Sequence, residues 1–204
     1  MKIDRKMTSA LTDEEITALS EILNEALYRK EEPLGAVRKM FFSHDRGNSI
    51  IYDSGKIVGV VQYDGLKKNN TVFTEVAAIS SDNGGKGLIS EAVDIDLQNA
   101  KSDGVDYAAA PIGNPVAMCL FYDKGFLLPT KMGEEKECLL NKAREILEER
   151  YGNDMGLTES FVIPHKNYIY PDLRNNGEAY RNDVAIFIKN CMSAGDRLLM
   201  IKEL

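Results

Sequence analysis

Residues Thr71 to Gly104 read TVFTEVAAIS, then SDNGGKG, then LISEAVDIDLQNAKSDG. β-Branched and aromatic residues fill the first block, and its near-continuous apolar end predicts a strand buried on both faces. The middle block is a turn that carries Gly84, Gly85 and Gly87. In the third block Ile89, Val93, Leu97 and Ala100 recur at spacings of four, four and three, the period of an amphipathic helix. A Gly-rich loop between a buried strand and a helix start gathers several backbone N–H groups into one concave turn. There the partial positive charge of the helix end adds to their attraction for a phosphate. Asn83-Gly84 is also an ordinary turn dipeptide, so the glycines alone leave a plain turn and a phosphate cradle both open.

Upstream, Leu11 to Lys30 carries Ile16, Leu19, Leu23 and Ala26 on one stripe and opens with Thr12-x-x-Glu15, a capping box. A second helix is expected after Pro33, with Leu34, Val37, Met40 and Phe41 facing the core. Two helices are thus expected before any strand. NSIIYD and KIVGVVQYD, joined by Ser54-Gly55, form a hairpin signal, and Leu66 to Asn70 makes a polar turn into the next strand.

Downstream, VDYAAAP reads as a short strand and GNPVAMCLFYDK as a short helix with Pro115 in its first turn and Gly125 at its end. FLLPT reads as another strand. Glu134 to Tyr151 places Leu139, Ala143, Ile146 and Leu147 on one helical face, and Gly177 to Met192 does the same with Tyr180, Val184, Phe187 and Cys191. LTESFVIP and NYIYP are expected to be extended, and DRLLMIKEL to be a last strand.

Composition removes whole classes of function. With 44% hydrophobic and 28% charged residues the 204-residue chain can bury a core, which excludes a disordered or collagen-like reading. A net charge of −7 without a basic block argues against nucleic acid as a partner. Apolar runs fall well short of the roughly 18 to 20 residues of a membrane span, and charges interrupt the opening MKIDRKMTSALTDEE where a secretory signal would be apolar. A cytoplasmic protein without a membrane partner is expected. Cys119, Cys138 and Cys191 make neither an even disulfide set nor a C-x-x-C pair, and they are read as reduced core thiols. His44 and His165 lack Cys, Asp or a second His at ligand spacing, so both are read as surface residues and no metal is expected.

Taken together, SSDNGGKGLISEAVDIDLQNAKSDG, the following Asn114-x-x-Ala117 and then FYDKGF resemble the GNAT superfamily of acetyl-CoA-dependent N-acyltransferases. That family runs strand, R/Q-x-x-G-x-G/A loop, helix ending in A-K-x-x-G, strand, N-x-x-A helix and F-Y-x-K-x-G-F. In register, Gly84 stands at the Arg/Gln place, Gly87 at the first required Gly and Ile89 where the family has Gly or Ala. A second register, Asp82-x-x-Gly85-x-Gly87, keeps both glycines and puts an acid at the Arg/Gln place. FYDKGF is one residue shorter than the usual pattern, so either Tyr122 or Phe121 occupies the family's tyrosine position. The resemblance covers about residues 10 to 130 plus the last nine. It implies a GNAT-like α/β (α+β) fold, a mixed central sheet flanked by helices, as a single domain over 1–204 with 131–195 as a helical insertion before the final strand.

What the resemblance implies for chemistry is direct transfer of an acetyl or other acyl group from acyl-CoA to an amine within a ternary complex. Backbone near Ala78 and Ile79 would engage the pantetheine and thioester. Gly84, Gly85, Lys86, Gly87 and Leu88 would take the pyrophosphate, and Tyr122 would protonate the departing thiolate. Asn114 would cap its helix and hydrogen-bond the cofactor, or serve only as a helix cap. Independently of the family, Glu75 is an acid inside an apolar strand, where burial would raise its pKa toward that of a general base; the bland alternative is a strand-end carboxylate that reaches solvent or pairs with lysine. Acetyl-CoA is the expected cosubstrate, and a small amine or a protein amine the acceptor. A homodimer fits the sequence as well as a monomer does. The alternative reading is a catalytically weak or inactive GNAT-like module that senses CoA or binds another protein.

Overall fold

Charge, and no apolar alternation, marks the first strand. The structure is a computed structural model that describes residues 1–28, 30–127, 137–152, 161–163 and 196–204. In it Lys2–Met7 (β1) pairs antiparallel with Gly47–Asp53 (β2), so a strand precedes the two helices expected to come first. KIDRKM escapes a strand reading because β1 is an edge whose side chains are mostly exposed or half exposed, where charges discourage further pairing.

The helices follow as Asp13–Tyr28 (α1) and Leu34–Phe42 (α2). The capping box forms reciprocally: the Thr12 amide donates to Glu15 Oε2 at 3.0 Å and the Glu15 amide to Thr12 Oγ1 at 3.2 Å. Glu15 Oε1 also accepts from Lys6 Nζ at 2.7 Å and from the Tyr52 hydroxyl at 3.0 Å, joining α1 to β1 and β2. On α1 the buried stripe includes Leu19, Leu23 and Leu27, and Ala26 lies outside it, exposed. On α2 only Val37 and Phe41 are buried; Leu34 and Met40, expected in the core, are exposed. A nine-residue helix with one i, i+4 pair turned inward has no room for a broader apolar stripe.

β2 turns through Ser54 (φ 50°) and Gly55 (φ 80°), the positive-φ pair of a type I′ turn, into Lys56–Leu66 (β3). Thr71–Ile79 (β4) leads through a 3-10 turn at Ser81–Asn83 to Leu88–Ser102 (α3). Tyr107–Ile112 (β5), Pro115–Asp123 (α4), Glu137–Tyr151 (α5), Val162–Ile163 (β6) and Arg197–Glu203 (β7) complete the described elements. Hydrogen bonding orders the strands β1-β2-β3-β4-β5-β7-β6, with β4 parallel to β5 and β5 antiparallel to β7. This is a mixed α/β sheet flanked by helices, as expected. Of FLLPT, Leu127 makes a single bridge to Ile201, and residues 128–130 lie outside the described residues, as do the Gly177 to Met192 helix, NYIYP, His165 and Cys191.

Two compact units divide the chain: Met1–Asp64 with Thr74–Asp103, and Gly65–Phe73 with Gly104–Leu204. In the first, Leu19, Leu23, Val37, Ile50, Ile51 and Val60 are sealed from solvent, with Asn48 and Gln62 buried among the strands. Those amides satisfy each other: Gln62 Nε2 donates to Asn48 Oδ1 at 3.0 Å and to the Phe41 carbonyl at 2.9 Å, while Asn48 Nδ2 reaches Thr8 Oγ1 at 3.1 Å. A Cβ at Gly59 would meet the Ala78 carbonyl oxygen at 2.9 Å, so only glycine lets β3 lie this close to β4.

In the second unit the face of α5 read from the sequence, Leu139, Ala143, Ile146 and Leu147, is buried, and α5 packs on β7. Asn69, in the turn before β4, donates to Glu149 Oε2 at 2.6 Å and to the Glu145 carbonyl at 3.2 Å. The Tyr151 ring meets Phe73 edge-on at 6.4 Å. α4 ends in a Schellman closure: the Gly125 amide (φ 83°) donates to the Tyr122 carbonyl at 2.9 Å and the Phe126 amide to the Phe121 carbonyl at 3.1 Å. Phe121 and Phe126 then stack edge to face at 4.9 Å. Cys119 is half-buried and Cys138 exposed, so Cys138 is not the core thiol expected; it falls on the solvent side of α5.

Helix α3 buries Ala92, Val93, Asp96 and Ala100, while Ile89 and Leu97 of the expected stripe are only half-buried. Asp96 accounts for the difference. Its Oδ1 accepts from the buried Ser49 hydroxyl at 2.6 Å and lies 3.3 Å from Arg5 Nε, and Arg5 Nε also donates to the Tyr63 hydroxyl at 3.1 Å. Burial pushes the Asp96 carboxyl up to about 6, against the opposing pull of the Ser49 hydroxyl and the Arg5 guanidinium.

A carboxyl that binds its proton more tightly folded than unfolded stabilises the fold when protonated and loses that contribution as pH rises. The window runs from the ordinary 3.8 up to about 6, and its span corresponds to roughly 3 kcal/mol. Asp96→Asn is expected to remove this part of the pH dependence. Urea unfolding between about pH 4 and pH 7 reads it as a difference between parent and variant that grows through the window and is flat above it.

Candidate functional site

The strand expected to be buried on both faces is not so buried at its end. In β4, Thr71 and Phe73 are buried, but Thr74, Glu75, Val76, Ala77 and Ile79 are half exposed, with Ala78 alone sealed at 3%. β4 lies between β3 and β5 in the sheet and pairs with β5 over Thr71–Phe73. Glu75 is half-buried on β4, with one carboxylate oxygen shielded from solvent.

The chain leaves β4 at Ser80, whose amide donates to the Val58 carbonyl at 2.8 Å. Gly84 closes the 3-10 turn by donating to the Ser81 carbonyl at 3.2 Å. Gly85 (φ 75°) and Gly87 (φ 76°) then take the left-handed conformation, which residues with a Cβ rarely adopt, and Gly87 serves as the N-cap of α3. Lacking a side chain, Gly87 leaves the first-turn amides at Leu88, Ile89 and Ser90 without a side-chain cap. Gly84, Gly85, Lys86 and Gly87 are all exposed, and a Cβ at Gly85 or Gly87 would touch nothing within 4 Å. Gly85 and Gly87 thus combine a left-handed backbone with open space, whereas Gly84 has a negative φ and a Cβ there would lie 3.4 Å from the Ser81 carbonyl oxygen.

Charge around the loop is mixed. Lys86 Nζ donates to Asn83 Oδ1 at 2.6 Å and lies 3.9 Å from Asp53. Glu25 of α1 accepts from the Ser81 amide at 3.2 Å. Nothing in the sequence distinguishes Glu25 from the other acids on the polar side of α1. Ile89, half-buried in the first turn, is neither a fully packed core residue nor fully exposed.

Asn114 and Tyr122 belong to the second unit. Asn114 is the N-cap of α4, its Oδ1 accepting from the Val116 amide at 2.9 Å, with Pro115 next in the first turn. The cap reading of Asn114 is therefore realised. Phe121 is 3% exposed and packed on Phe126, whereas its neighbour Tyr122 is half-buried near the end of α4. The structure thus groups Glu75, Ala78, Ile79 and Gly84 to Leu88 in one unit, and Asn114 with Tyr122 in the other. His44 is exposed, and among the described residues no group of three or more His, Cys, Asp or Glu side chains is arranged to hold a metal. Among those residues, too, no helix is long and apolar enough to cross a membrane.

No protein-family model matches the chain, and no curated protein matches it. Solved structures do. An IAA acetyltransferase from Bacillus cereus superposes with a TM-score of 0.55 at 13% identity, over 100% of this chain and 99% of its own. Tetrahymena GCN5 gives 0.53 at 16% identity, over 67% of this chain and 85% of its own. The catalytic domain of the Tetrahymena GCN5 histone acetyltransferase in complex with coenzyme A gives 0.50 at 16% identity, over 66% and 81%. Identities this low speak to architecture, and the mixed sheet, the β4, Gly-rich loop, α3 succession and the parallel β4/β5 pair agree with it. The chain has the fold of the GNAT acetyltransferases.

Proposed function

We propose that the protein is an acyl-CoA-dependent N-acyltransferase, moving an acetyl or other acyl group directly to an amine. The observation that carries this reading is the loop Gly84 to Leu88. It combines two left-handed glycines, open space and an uncapped helix start at the end of β4, in a fold that a coenzyme A complex shares. Acetyl-CoA supplies the activated acyl group, and the residues here fit it: backbone amides for the pyrophosphate, Lys86 as a cation beside them, and the end of β4 at the sealed Ala78 and the half-buried Ile79 for the pantetheine arm. Tyr122, half-buried and carrying the hydroxyl that its sealed neighbour Phe121 lacks, is the candidate proton donor to the leaving sulfur. Glu75, half-buried on β4 with one carboxylate oxygen shielded from solvent, is the candidate base. The acceptor is an amine, small or on a protein, and an acidic chain suits a cationic one.

One observation favours a second reading, a GNAT-like module that binds CoA weakly. Ile89 stays partly exposed in the helix turn whose amides would meet the phosphates. Calorimetric titration with acetyl-CoA, CoA and longer acyl-CoAs separates the two, since micromolar binding of acetyl-CoA supports the transferase.

Gly87→Glu is expected to abolish acyl-CoA binding in the same titration, through backbone strain and a like charge at the cradle; unchanged affinity would move the site off this loop. Ile89→Gly is expected to leave affinity within about threefold and to lower the melting temperature. A gain of tenfold or more, about 1.4 kcal/mol, would instead identify the parent chain as the weak-binding module. Tyr122→Phe is expected to reduce turnover roughly a hundredfold to ten-thousandfold with acyl-CoA affinity nearly intact. Steady-state kinetics that match the parent would assign the proton donor elsewhere.

A further inference from the structure

Ser81 is held from both ends. Its amide donates to Glu25 Oε1 at 3.2 Å, and its carbonyl accepts the Gly84 amide at 3.2 Å. Glu25 sits on α1, 56 residues earlier, and Lys30 Nζ lies 3.7 Å from its other oxygen. Lys30 itself adopts a left-handed φ of 67° just beyond α1, its amide donating to the Asn24 carbonyl at 3.1 Å. The Ser81 hydroxyl, with the Ser81 amide and the Lys30 ammonium behind it, holds the Glu25 carboxyl below the usual carboxylate range, against partial burial. Further along, Ser80 Oγ accepts from Asn83 Nδ2 at 3.0 Å and Asn83 Oδ1 accepts from Lys86 Nζ at 2.6 Å. A run of short-range bonds therefore extends from the helix carboxylate through the 3-10 turn to the loop lysine. All of these residues belong to the first unit.

Two features make Glu25 more than a surface acid. The carboxylate reaches a main-chain amide at the start of the loop, where a fixed hydrogen bond limits which way every later peptide can face. Its charge also sits beside a loop read as anion-binding, an arrangement that costs affinity unless Lys30 offsets it. We propose that Glu25 is a positioning residue for the phosphate loop, its carboxylate fixing Ser81 so that Gly84 to Leu88 present their amides to the cofactor's phosphates, with Lys30 cancelling its charge. This rests on the acyl-CoA reading above.

The test compares CoA with pantetheine, which lacks the phosphates, by calorimetry on the full chain. Glu25→Ala is expected to weaken CoA on the order of tenfold and to leave pantetheine unchanged, while Glu25→Gln, which still accepts from the Ser81 amide, stays within about twofold of the parent. Ser81→Pro removes the amide and the hydroxyl at a position where the first turn of a helix tolerates proline. It is expected to match Glu25→Ala, and the double variant to lose nothing further. Equal CoA binding by Glu25→Ala and the parent, tighter binding by Glu25→Ala, equal weakening of CoA and pantetheine, or failure of Glu25→Gln to restore affinity would each overturn the positioning role while the transferase reading stands. A parent chain that binds neither acetyl-CoA nor CoA would overturn both.

Discussion

The hydrogen bond from Ser49 to Asp96, 2.6 Å long and closed to solvent, fixes α3 on the strands beneath it. Helix packing by apolar contact tolerates sliding and rotation, because dispersion is non-directional and neighbouring grooves are nearly equivalent. α3 buries few large apolar side chains; alanines, one valine and Asp96 make up its inner face. With so little shape to index it, the helix takes its rotation from the one directional contact available. That rotation in turn decides where the uncapped amides at Leu88 to Ser90 point.

The same economy recurs in the second unit. α5 gains its register from Asn69, whose amide spans Glu145 and Glu149 on successive turns, while Leu139, Ala143, Ile146 and Leu147 supply the buried area. In both units apolar residues decide that an element is buried, and a single polar residue decides its phase. The Asn48–Gln62 pair does this for β2 and β3, since one step of slip would face both amides with apolar neighbours and leave their donors unmet.

This division of labour explains what could be read from the sequence. Periodic and conformational signals survive translation into structure: the Thr12 and Glu15 cap, the Ser54-Gly55 turn, the glycines at 85 and 87, the Asn114 cap and the α5 face all follow from local geometry. The α3 stripe was legible in period and in only part of its face, Val93 and Ala100 being buried and Ile89 and Leu97 half-buried, because Asp96 counts as polar in any pattern and yet turns inward to meet Ser49 and Arg5. β1 carries no apolar alternation, as an edge strand's pairing is a main-chain affair that side-chain pattern does not report. Of the candidate site, the loop was legible through its glycines. Glu25 was not, since what distinguishes it is a partner 56 residues away.

The outermost strand has a reach out of proportion to its place. Arg5 is the ionic neighbour of Asp96, and Thr8, just past β1, hydrogen-bonds Asn48 and the Arg46 backbone. Edge strands are ordinarily the first elements to fray, and their opening is usually of local concern. Here, peeling β1 away would strip a buried carboxylate of its counter-charge at the same moment as it uncovered the β2 edge. Amide exchange in α3 would then share an opening event with amides in β1, although the two are separated by eighty residues of chain. A cooperative unit of this kind joins the periphery of the sheet to the helix that follows the Gly-rich loop.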